Sequence, residues 1–272
     1  MIFQDLEKCF RRAFIFSFNK KKLIFSYPFV FLVGIIFVFF RSMTLSANNW
    51  VFLCRLFLPI FIAFAIFFVL GAFLIRINYH EVKNLTCSYR QILKKSSPLI
   101  LSTFYISIPV IFVFLLLWVV FGLFVGIKNI PHVGSFIGVF LSIIPFLLIL
   151  LAILLVVFSV GALFFISPEM SLSQKKKKEL LKSIMLNFKV NLFGNLTLFF
   201  IALLVVFIAY FILFLSIVFT KSYFALPMNN VYSGFMSFFL MIPFTLFLTP
   251  FIIFFFNFAL ESFNLLKVRE EK

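Results

Sequence analysis

The feature that most constrains this chain is the alternation of basic islands with paired apolar stretches. Of 24 Lys and Arg residues, 20 fall in four islands: six in 1–22, five in 76–97, six in 167–193 and three in 261–272. Between one island and the next lie two long apolar runs. Only Arg41, Arg55, Lys128 and Lys221 sit in or beside the short gaps that divide each pair. Basic residues beside membrane spans stay preferentially on the cytoplasmic side. The pattern therefore predicts an all-α polytopic membrane protein with six transmembrane helices in three hairpins. Both termini are expected in the cytoplasm, and the membrane expected is the bacterial inner membrane.

A water-soluble fold is excluded by supply. The chain is 64% hydrophobic and 12% charged, whereas soluble domains carry about 25% charged residues. The 49 Phe residues, alongside many Ile, Lys and Asn, read as the imprint of an AT-rich genome rather than as an aromatic binding cage. The net charge of +16 does not point to nucleic acid, because the charge lies beside apolar spans and no soluble region is long enough to form a DNA- or RNA-binding domain. The expected partner is the anionic inner leaflet, at about 1 kcal/mol per Lys or Arg near the surface.

Along the chain, Phe3, Leu6, Phe10, Ala13, Phe14 and Phe18 recur at helical spacing, with Asp5, Glu7, Lys8, Arg11 and Arg12 on much of the remaining surface. This predicts an amphipathic helix over 1–22 lying on the membrane. It is too long for a cleaved signal peptide, and no small-residue cleavage site follows at Phe37–Ser42. The hairpins are expected at about 23–75, 98–166 and 196–260, in one domain over 1–272. In the third island, Ser167-Pro168 reads as an N-cap followed by Pro at the first helical position. A second surface helix is then expected, with Leu181, Ile184, Met185, Phe188 and Leu192 on its apolar face. Each hairpin is thus preceded by a basic segment: Phe16–Lys22, Tyr89–Ser96 and Ile184–Asn191.

This plan resembles the six-span membrane domain attached to some glycerophosphodiester phosphodiesterases, and related stand-alone bacterial membrane proteins of unknown function. The resemblance rests on the basic amphipathic start, the Ser-Pro-Glu-Met exit at 167–170 and the helix of 181–189. It implies a fold and a membrane. It carries over no catalytic residues, since no phosphodiesterase domain is present.

Candidate lipid-headgroup contacts are Arg11, Arg12, Lys20, Lys21, Lys22, Lys94, Lys95, Lys175, Lys176, Lys177 and Lys178. Gly122 with Gly126, and Gly134 with Gly138, form two G-x-x-x-G patterns about the turn of the second hairpin, a spacing that lets backbones approach closely. A contact between the third and fourth spans is expected there. Arg55 lies five residues from Trp50 and is expected to snorkel to the outer headgroups. Pro28, Pro59, Pro109, Pro145, Pro243 and Pro250 lie within spans and are expected to shape them.

Asn257 and Glu261, one turn apart, are expected to meet lysines of the second or third island. His80-Glu81 has no nucleophile or metal partner in view. Cys9, Cys54 and Cys87 lack the spacing of a disulfide or zinc framework. No catalytic residue, metal or cofactor is therefore expected. The spans carry no ionisable residue near their middles, which argues against a proton-coupled carrier. The function expected is non-enzymatic support of membrane organisation or lipid homeostasis through anionic lipid, with an uncoupled permease or lipid transporter using the Pro-kinked spans as the alternative.

Overall fold

Backbone in hydrocarbon must satisfy its own N–H and C=O groups, and apolar runs of this length do so as helices. The computed structural model describes residues 3–42, 49–83, 89–128, 130, 133–172, 192–220 and 231–270. Among them the helices are α1 (Phe3–Ser17), α2 (Lys20–Ser42), α3 (Asn49–Val82), α4 (Tyr89–Lys128), α5 (Val133–Leu172), α6 (Leu192–Phe219) and α7 (Val231–Glu270). The six from α2 to α7 are long and apolar enough to cross a membrane. The chain is an all-α multi-pass membrane protein.

Sequential spans pack as expected, α2 on α3, α4 on α5 and α6 on α7. The hairpins are not equivalent, however. α3 touches α2, α4, α5 and α7, and 67% of its span is buried within the protein, against 11–39% for the other five. It is the axis of the fold. Phe61, Phe68 and Leu74 of α3 are wholly buried, as are Phe114 of α4 and Phe254, Phe256 and Phe258 of α7. Phe61 and Phe114 pair tilted with centroids 4.8 Å apart, and Phe254 and Phe258 stack at 5.6 Å. Such pairs add to the burial of apolar area.

Small residues mark where helices come closest. A Cβ on Gly71 would strike the Phe256 ring, and one on Gly34 would lie 2.9 Å from Thr245 Cγ2. These two positions let α7 seat against α3 and α2.

The helices run further than the apolar runs. α4, α5 and α7 have 40 residues each, about 60 Å at 1.5 Å per residue, twice the roughly 30 Å hydrocarbon thickness. α3 continues past Ile75 to Val82, carrying Arg76, Asn78, His80 and Glu81 into the bundle. The expected helix start at Ser167-Pro168 is overturned, because Pro168 lies inside α5, which ends at Leu172. The reason is tertiary: Arg76 of α3 donates from Nε to the Ser171 carbonyl at 3.0 Å. That carbonyl is one of the last four of α5, which have no partner within the helix, and a cation at a helix C-terminus is favourable.

The segment before the second hairpin differs too, since Tyr89–Lys95 is the first part of α4 rather than a separate element. The segment expected before the third hairpin lies mostly outside the described residues.

Candidate functional site

Both described ends of the chain meet at one end of the bundle, with the start of α2, the end of α3, the start of α4 and the end of α5. We call this the basic end. Its geometry starts at Asn19, between α1 and α2. Asn19 Oδ1 accepts from the Lys21 backbone N–H at 3.1 Å, and its carbonyl accepts from Leu23 N–H at 3.0 Å. Asn19 is thus the N-cap of α2. Its Nδ2 donates to Glu81 Oε1 at 3.1 Å, which ties the elbow to α3.

Lys22 lies one turn further on. Its Nζ is 2.6 Å from Glu81 Oε2, donates to Asn78 Oδ1 at 3.0 Å and sits 5.2 Å from the Phe16 ring centroid. The residue is wholly buried. A buried charge is tolerable only when paired and hydrogen-bonded, and these contacts meet that condition. On the other side of α3, Arg76 donates from Nη1 to Ser96 Oγ of α4 at 3.1 Å, in addition to its bond to Ser171. Lys22, Asn78, Glu81 and Arg76 together link α2, α3, α4 and α5.

α1 belongs to the same assembly. Part of its apolar face docks on α7. Phe10 meets Phe254 and Phe258 edge-on at 5.1 and 6.1 Å, and Ala13 is wholly buried. Ser17 Oγ accepts from Asn257 Nδ2 at 3.4 Å, and Arg12 Nη1 lies 3.7 Å from Glu261 Oε2. Asn257 and Glu261 therefore meet α1; the lysines of the third island lie outside the described residues. Cys9, at this seam, has its thiol pushed up to about 11, first by burial and then by the Glu261 carboxylate, with Arg12 opposing.

Leu6 and Phe16 are half-buried, whereas Phe14, whose ring also meets Phe254 edge-on at 6.2 Å, is exposed together with Ile15, Phe18 and Ile24 of α2. Beside them Arg11, Arg12, Lys20 and Lys21 are exposed.

The candidate lipid contacts thus separate. Arg11, Arg12, Lys20 and Lys21 form one exposed group, and Lys94 is exposed on α4. Lys22 leaves the set, since its ammonium faces Glu81 and Asn78 inside the bundle. Lys95 lies on α4, where only its backbone is described, and Lys175–Lys178 lie outside the described residues.

The G-x-x-x-G positions are described only in part. A Cβ on Gly122 would meet Trp50 Nε1 at 2.5 Å, so Gly122 makes room for an α3 side chain. Among the described residues nothing lies within 4 Å of such a Cβ on Gly126. Gly134 and Gly138 lie in the first turns of α5, where only the backbone is described.

Sequence reasoning missed what Gly122 serves. Trp50 and Trp118 stack at 4.5 Å and 6°, and each indole donates to the other's carbonyl, at 3.0 and 3.1 Å. The cue was present in that the chain has only two Trp residues.

Fold and site together define a six-span helical membrane protein with a further helix, α1, packed onto its last span. Compared with protein-family models, characterised proteins and solved structures, the chain matches none. Its chemistry is therefore read from its own residues.

Proposed function

We propose that this chain is a non-enzymatic protein of the bacterial inner membrane, with its basic end in the cytoplasm, that organises anionic lipid of the inner leaflet. The observation that carries the reading is the exposed half of α1 and its elbow, where Phe14, Ile15 and Phe18 adjoin Arg11, Lys20 and Lys21. Apolar side chains beside cations are the signature of an interfacial helix that enters the acyl boundary and attracts anionic headgroups. Docking on α7 fixes that helix in place, so less ordering entropy is lost on contact with lipid.

The six-span domain of the phosphodiesterase-linked proteins is the relationship proposed alongside, on the basic start and the Ser-Pro-Glu-Met segment. The test is lipid co-purification with a triple Arg11→Gln, Lys20→Gln, Lys21→Gln variant. Retained phosphatidylglycerol should fall at least threefold with the thermal midpoint unchanged. Undiminished retention counts against the proposal.

A further inference from the structure

At the end of the bundle away from the basic cluster, α2 and α3 each carry an arginine. From Lys22 to Arg41 the helix α2 rises about 29 Å at 1.5 Å per residue, close to the hydrocarbon thickness of roughly 30 Å. With Lys22 at one border of that layer, Arg41 stands at the other, where headgroup phosphates lie.

Arg55 reaches the same level from α3. Lys22 bonds Asn78 and Phe25 meets Phe73 at 6.0 Å, an antiparallel register that, carried outwards, sets Arg41 level with Phe57–Pro59. Arg55 is within about one helical turn of that level, and the two guanidiniums are close enough for their charges to repel. Both side chains are half-buried. Phe37, one turn before Arg41, and Phe52, one turn before Arg55, are exposed to lipid.

Two like charges held together at an apolar border need a counterion. The sequence supplies no carboxylate for it. All eight Asp and Glu residues fall within 5–7, 81, 169–179 and 261–271, so none stands in the turns that join each pair of spans. Glu81 and Glu261 are engaged at the basic end, with Lys22 and Arg12. The anion that balances Arg41 and Arg55 therefore comes from outside the chain.

Arginine narrows the class of anion. A guanidinium presents parallel N–H donors that match two oxygens of a phosphate, and it keeps its charge where a lysine sheds its proton. Two such forks facing one point suit a group with several oxygens and at least one negative charge.

We propose that Arg41 and Arg55 form a two-pronged site for one phosphate group, supplied by a phospholipid headgroup of the leaflet opposite the basic end or by free phosphate. The site is separate from the anionic-lipid contacts of α1.

The test is phenylglyoxal labelling of the full chain, delipidated in dodecyl maltoside, with each arginine read by peptide mass spectrometry. Added phosphatidylglycerol should slow labelling of Arg41 and Arg55 at least fivefold relative to chloride of equal ionic strength. Inorganic phosphate in place of lipid identifies the source: protection by both admits free phosphate, and protection by lipid alone assigns a headgroup. Arg55→Lys keeps the charge and loses the fork. Protection of Arg41 should then fall at least threefold, with unchanged intrinsic fluorescence marking an intact fold. Labelling that neither phosphate source slows beyond chloride would overturn the site, as would full protection of Arg41 in Arg55→Lys. Arg11 in the same digest reports on α1, so protection there alone would sink this site and leave the α1 reading standing.

Discussion

Lys20, Lys21 and Lys22 are chemically identical and adjacent, yet only Lys22 is sealed inside the bundle. The difference is the rotation of α2, set by the Asn19 cap, which points the third lysine at Asn78 and Glu81. Removing one partner of a buried pair typically costs about 3–5 kcal/mol. Glu81 keeps 22% side-chain exposure, so Lys22→Met should cost about 3 kcal/mol or less in denaturant unfolding from mixed micelles. The double variant with Glu81→Leu should recover part of that loss, since no uncompensated carboxylate remains. Lys21→Met should be neutral.

Cys9 gives a second residue-scale prediction. A thiol near pH 11, against 9.0 when free, is about 100-fold less thiolate at pH 8, and the thiolate is the reactive form. With Cys54 and Cys87 replaced by Ser, maleimide labelling of Cys9 should be about 100-fold slower than for a free thiol. It should accelerate in Glu261→Gln, which removes a neighbouring negative charge.

At the scale of elements, the attachment of α1 decides how the basic end is presented. The Arg12–Glu261 pair is long, at 3.7 Å, and half exposed on the arginine side. Exposed pairs contribute about 0–1 kcal/mol, so the apolar contacts must hold the helix. Phe10→Ala removes the ring that meets Phe254 and Phe258. For a half-buried Phe this should cost about 2 kcal/mol, below the 3–5 of a fully buried one. Amide exchange over 3–17 should rise, whereas Ile15→Ala, at a position 61% exposed, should leave it unchanged.

The helical period of α1 was legible in the sequence because Leu6, Phe10 and Ala13 recur on one face. What that face meets was not, because lipid and the Phe254–Phe258 stripe of α7 ask for the same apolar residues. The end of α5 was misread for a related reason. Ser167-Pro168 obeys the local rule for a helix start, and the carbonyl bond that holds the turn closed comes from Arg76, nearly a hundred residues away.

At the scale of the molecule, the six spans were readable because hydrocarbon imposes length and composition on every crossing. The hub was not. The apolarity of α3 falls within the range of its neighbours, and its centrality depends on Gly71 admitting Phe256 from α7, a partner that helical spacing cannot name. The three hairpins look alike in sequence but take unlike places, since only the first contributes the axis. The charge islands predict that a fluorescent protein fused after Lys272 folds in the cytoplasm. A cysteine placed at Ser46, between α2 and α3, should then label from the periplasmic side. Reversal of either result would invert the orientation proposed for the lipid contacts.

The stacked pair of Trp50 and Trp118 has an optical consequence. All of the protein's indole absorbance comes from two rings in van der Waals contact, so their transitions couple and their emission depends on one distance. Near-ultraviolet dichroism and intrinsic fluorescence therefore report on a single joint between α3 and α4. The chain carries its own label-free gauge of whether that joint is closed in a given lipid.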